Sequence, residues 1–124
     1  GAAAGLHGSR DLIATTFRGG LAERAAWIDT QVPPGEWICS LDTLTIECML
    51  HSQRRWTPPL PTPRFVDRVL AARSAGTIPM KRLWIWMDAF HRTLLPDLVR
   101  HLEDLASRPG GFRRELGDAL VFVL

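Results

Sequence analysis

Apolar side chains recur at helical intervals along most of this chain. Leu12, Ile13 and Phe17 share a face behind Ser9, a residue type that caps helix starts. Gly19-Gly20 interrupt that face. It resumes as Leu21, Ala25, Ile28 and Val32, at spacings of four, three and four, until Pro33-Pro34-Gly35 end it. Phe65, Val66, Val69, Leu70 and Ala72 supply the apolar side of a short helix whose other face shows Arg64 and Arg68, and Ser74-Ala75-Gly76 close it. Leu83, Met87, Phe90 and Leu94 repeat at four, three and four, which predicts another helix with all four facing the core. Pro96 lacks an amide hydrogen, so it either kinks this helix or opens the next one at its first position. Leu98, Val99, Leu102 and Leu105 continue as an amphipathic face. Asp97 suits a helix start, and Arg100 and Asp104 are spaced for an ion pair. Arg108-Pro109-Gly110-Gly111 break the chain. Phe112, Leu116, Ala119 and Leu120 then form one more face before the apolar end Val121-Phe122-Val123-Leu124, which must pack on the core or on a partner.

Residues 36–50 fit two templates. Ser40 followed by Leu41, Leu44 and Cys48 reads as a capped helix, while Leu44, Ile46, Cys48 and Leu50 alternate with Thr43, Thr45, Glu47 and Met49 as in a strand. With the helical reading, the chain is expected to be mostly α, a compact bundle of five or six short helices. The alternative is α+β, with a small sheet from 36–50 and 120–124. Residues 1–8 lack the basic-then-apolar order of a signal peptide and are set aside as a leader or linker. Residues 9–124 are then one helical domain with a Pro-rich connector at 57–63. No stretch reaches the roughly 18–20 apolar residues that cross a bilayer.

Composition adds a compartment. At 46% apolar and 23% charged, the chain has the balance of a folded protein. Two cysteines, Cys39 and Cys48, are too few to staple a secreted scaffold. Within one continuous helix or strand their Cα atoms would lie well beyond the ~7 Å limit for a disulfide. They read as buried free thiols, which implies an intracellular reducing compartment, the cytoplasm first.

Charge changes the picture more. Residues 52–82 hold seven bases and one acid, a balance of +6, whereas 1–51 is −3 and 83–124 is −1. The +2 of the whole chain hides this segregation. Fourteen of the fifteen bases are Arg, and the chain has no Asn or Tyr. GC-rich coding explains those shortages together, but it does not explain the clustering. Arg54, Arg55, Arg64 and Arg68 beside Trp56 resemble a phosphate-binding footprint, although a solvated linker and the exposed face of one helix explain the same cations. Arg55-Trp56-Thr57-Pro58-Pro59-Leu60-Pro61 also fits a PxxP ligand with a preceding base, although a stiff connector explains the same prolines. Five tryptophans are many for this length. On a helix Trp84 and Trp86 would lie about 200° apart and could not share a narrow face. One of them is therefore expected at the margin of the core stripe or at a surface buried by something else, unless the core wraps these helices on more than one side.

Catalytic and metal chemistry find little support. Cys48–His51 and Asp88–His91 are the local pairs that could ligate or exchange protons, and His101 stands alone. None comes with a second pair, a nucleophile elbow or a phosphate loop, so no catalytic residue, metal ligand or cofactor is assigned. The function expected from the sequence is a small macromolecule-binding or assembly module acting through protein–protein contacts, either with a partner protein or by self-association. Arg54, Arg55, Trp56, Arg64 and Arg68 would make its polar contacts, and Trp84 or Trp86 its apolar anchor. The alternative is a nucleic-acid-binding domain using the basic 52–82 segment. A small enzyme with a site assembled from distant residues is the third.

Overall fold

The computed structural model describes residues 21–41, 49–116 and 119–124. The face of Leu12, Ile13 and Phe17, the 42–48 stretch and Cys48 lie outside them. In chain order the elements are α1 (Leu21–Gln31), β1 (Trp37–Leu41), β2 (Arg55–Trp56), α2 (Pro63–Ser74), β3 (Leu83–Met87), α3 (Ala89–Leu94), α4 (Pro96–Ala106), β4 (Phe112–Leu116) and β5 (Ala119–Val123). The five strands form one sheet in the order β2-β1-β3-β5-β4. β1 pairs in parallel with β2 and β3, and β5 lies antiparallel between β3 and β4. The fold is α+β, which overturns the expected helical bundle.

Three stretches carry that correction. In β3, Leu-Trp-Ile-Trp-Met is buried at every position. A run that is apolar throughout shows no period, and a central strand covered on both faces requires such a run. Leu83 and Met87 do share a face, because a spacing of four is even and serves a strand as well as a helix. The apparent stripe fails beyond them: Phe90 and Leu94 sit on α3 and are exposed. The C-terminal residues read as a helical face are instead the strands β4 and β5. The ambiguous 36–50 segment divides, with 37–41 in β1 and 49–51 helical. The α+β alternative placed strands in the right regions. However, β1 and β5 do not pair with each other; each pairs with β3.

Alternation along the strands splits the interior in two. Cys39, Ile85 and Phe122 face α2 and α4, meeting Val66, Leu98 and Leu102. Ile38, Trp84, Trp86 and Val121 face α1, meeting Ile28 and Val32. The helices that cover these faces begin and end where their sequences dictate. Thr62 caps α2, its hydroxyl accepting from the Phe65 amide, and Pro63 follows in the first turn. Pro96 opens α4 without kinking a longer helix. Arg100 pairs with Asp97 rather than Asp104, which takes Arg108 at 2.8 Å. Gly111 closes the turn from α4 to β4 where a Cβ would meet the Ala106 carbonyl oxygen at 2.9 Å, so no larger residue fits without a shift.

This topology sorts the surface. β1, β2 and β3 start in register, Trp37 opposite both Arg55 and Leu83, so Arg54, Glu36 and Arg82 form a row just before the three strands. The first turn of α2 and the whole of α3 lie at the other end, where β2 and β3 finish. Among the described residues no helix is long and apolar enough to cross a membrane.

Candidate functional site

The end where the parallel strands start gathers part of the basic segment. Arg54 is fixed there: its Nε donates to the Val32 carbonyl at 2.7 Å and its Nη2 to that of Asp29 at 3.2 Å. A cation at the last carbonyls of α1 also complements the helix dipole. The Asp29 carboxylate beside it is buried and accepts from Ser52 Oγ at 2.6 Å and the Gln53 amide at 2.5 Å. Arg55 lays its guanidinium 5.6 Å from the Trp37 ring centroid, and Arg82 does the same over Phe112. Among the described residues neither Arg55, Lys81 nor Arg82 has a carboxylate within salt-bridge distance. Glu36 stands among these cations, and its Oε1 accepts from Trp84 Nε1 at 2.6 Å.

The residues singled out from the sequence do not form one patch. Arg54 and Arg55 belong to this end. Arg64 and Arg68 lie exposed in the first half of α2, towards the opposite end. Trp56 is half-buried in β2 against the α1 side of the sheet. Trp84 and Trp86 point to the same side of β3, as strand neighbours two apart must, and both are buried. Trp84 packs edge-on to Phe112, and Trp86 edge-on to Trp27 at 5.7 Å between ring centroids. The space they fill lies under α1, so neither is available as an exposed anchor. Thr57 and Leu60 are buried too, the Thr57 amide donating to the Ile38 carbonyl. The Pro-rich connector is thus pinned to the fold. The C-terminus that had to pack somewhere is β5.

Two features were illegible in the sequence. Glu36 and Trp37 follow a plain helix stop, and only the strand register sets them beside Arg54, Arg55 and Arg82. Phe65, Phe90 and Leu94 occupy apolar positions of apparent helical stripes, yet they are 44%, 63% and 58% exposed. α3 buries none of its six residues.

The titratable candidates have structural partners. Asp88 caps α3, its Oδ1 accepting from the His91 amide at 2.8 Å and lying 2.7 Å from His91 Nδ1. His101 Nε2 meets Asp67 at 2.7 Å and ties α4 to α2. His51 is exposed, and its pairing with Cys48 falls outside the described residues. Cys39 is a free, buried thiol with Sγ 3.9 Å from the Pro58 carbonyl. Burial pushes its pKa up, partly offset by hydrogen bonding with Thr57 and the Leu60 backbone. Among the described residues no group of three His, Cys, Asp or Glu side chains could hold a metal ion. No protein-family model, curated protein or solved structure matches the chain.

Proposed function

We propose that the chain is a protein-binding module and that its contact surface is the end carrying α3 and the first turn of α2. The observation that supports this reading is α3 itself. Its Phe90 and Leu94, one turn apart, are directed to solvent while none of its residues is buried. A contiguous exposed apolar surface marks an interaction site more often than an isolated exposed side chain does. Phe65 is likewise exposed at this end, in the first turn of α2.

The charge around this surface selects the occupant. Arg64, Arg68 and Arg92 are exposed at the same end, with no carboxylate within salt-bridge distance among the described residues. The complementary partner is a protein segment that is apolar at its centre and acidic at its edges. A second copy of this chain is a poorer match, because a two-fold contact would set the same arginines against one another.

Selection of a displayed random-peptide library on the purified protein tests the reading. Enriched peptides should combine acidic and large apolar residues and bind more weakly as salt is raised. The double variant Phe90→Ala, Leu94→Ala should bind them at least about tenfold more weakly with an unchanged urea midpoint, since both side chains are exposed. Peptides that bind parent and variant alike would place the contact surface elsewhere.

A further inference from the structure

At the opposite end of the molecule, a cavity of about 350 Å³ opens between the turn before β1 and the chain entering β2. Trp37, Pro34 and Pro79 are its apolar walls, and Arg54, Arg55 and Glu36 its charged ones. Lys81 does not line it but lies next to Gly35, which does. Its side chain runs over Gly35, so that a Cβ at Gly35 would lie 3.2 Å from both Cδ and Cε. Gly35 has φ of +87° and also lines the cavity. It is an open groove whose volume lies at the low end of the range for small-molecule sites.

We propose that this cavity binds a nucleotide, its phosphate held by Arg54, Arg55 and Lys81 and its base set against Trp37 and the two prolines. Two lining cations, with Lys81 beside them across Gly35, meet one carboxylate here, and that carboxylate already accepts the Trp84 indole hydrogen. An anion is therefore favoured, and a metal cation or polyamine is not. Arg54 is preorganised, because two of its donors are committed to the Asp29 carbonyl of α1 and the Val32 carbonyl just beyond it. Its charge stays at the site without further loss of side-chain freedom. Arg55 lies over the Trp37 ring, so a base would stack on the guanidinium plane, or on the ring once Arg55 turns to the phosphate. Arginine forks suit phosphate oxygens, and a flat aromatic wall suits a base. A purely apolar ligand would leave the cations uncompensated, and a bare inorganic anion would leave the apolar walls wet. The nucleotide could arrive free or as one unit of a single strand, and the chemistry at the site is the same.

The test is calorimetric titration of the whole protein with inorganic phosphate, with adenosine monophosphate and with a short single-stranded oligoadenylate, each at low and high salt. The mononucleotide should bind more tightly than phosphate. The exposed double variant Arg55→Ala, Lys81→Ala should weaken it at least about tenfold while leaving the urea midpoint in place. Tighter, steeply salt-dependent binding of the oligonucleotide would support the site with a strand as the source. Equal binding of oligonucleotide and mononucleotide would support it with a free nucleotide as the source. The proposal is overturned if neither nucleotide binds at millimolar concentration, if the double variant binds unchanged, or if phosphate binds as tightly as the mononucleotide. None of these outcomes bears on the α3 surface, which uses different residues at the other end.

Discussion

Trp84 and Trp86 share a strand, a side of the sheet and near-complete burial, yet they differ in one atom's surroundings. Trp84 Nε1 donates to the Glu36 carboxylate. Among the described residues, Trp86 Nε1 is buried with no hydrogen-bond partner, as is Trp56 Nε1. An indole N–H without a partner has lost its water and gained nothing in exchange. Replacement by Phe removes similar volume at both positions but removes a satisfied, charge-assisted hydrogen bond only at Trp84. Trp84→Phe is therefore expected to destabilise by about 1.5–3 kcal/mol more than Trp86→Phe. Urea unfolding of the two variants measures the difference, and equal losses would show that the Glu36 contact contributes nothing. The same pair explains why a helical reading of Trp84 and Trp86 misplaced them: residues two apart diverge on a helix but align on a strand.

At the level of elements, the sheet and helices are joined by a few polar side chains at their ends. Arg54, just ahead of β2, closes the C-terminal end of α1 through the carbonyls of Val32 and Asp29. Asp29 in turn holds the chain entering β2 through Ser52 and Gln53. The exchange binds α1 to the edge of the sheet in both directions. Arg54→Ala should lower stability by about 1.5–3 kcal/mol, the range for hydrogen bonds made by a charged group. Arg54→Lys should recover only part of the loss, because an ammonium cannot fork to two carbonyls in the guanidinium's geometry. Chemical denaturation of both variants decides this, and a stability unchanged in Arg54→Ala would leave α1 held by its apolar face alone. Charge clustering in the sequence drew attention to Arg54 as a contact residue. Its structural task was hidden because α1 and β2 are neighbours only once the strands pair.

For the molecule as a whole, Cys39 reports on unfolding. It lies in β1 beneath α2 and α4, within the larger of the two apolar clusters, so reagents reach it only when the fold opens. Burial raises its pKa above the ordinary value of 9.0. Near neutral pH the thiol is protonated in both states and its contribution to stability is constant. As pH rises further the unfolded chain loses this proton first, so stability falls until the folded thiol also ionises. In a Cys48→Ser background, stability should drop above pH 9 more steeply than in the same background with Cys39→Ala. Disulfide-exchange labelling should proceed no faster than unfolding. Parallel pH profiles for the two backgrounds, or rapid labelling of the native protein, would contradict this placement of Cys39.

Local chemistry accounts for what could be read before folding. Pro33-Pro34-Gly35 ends α1, Pro96 marks a helix kink or start and Pro109-Gly110-Gly111 separates α4 from β4, because breakers act on the few residues beside them. The Thr62-Pro63 start of α2, by contrast, is absorbed into the 57–63 connector. The segregation of positive charge into 52–82 was equally plain. Long-range pairing settled the rest. Leu83 to Met87 is compatible with either period, and its state is set by β1 and β5 lying on either side of it. Phe90 and Leu94 lie on α3, outside the strand that holds Leu83 and Met87, so spacing alone could not show that they face water. The cavity beside Trp37 joins residues 34–37, 53–55 and 79, which come together only through strand register, a relation between distant segments that no local pattern encodes.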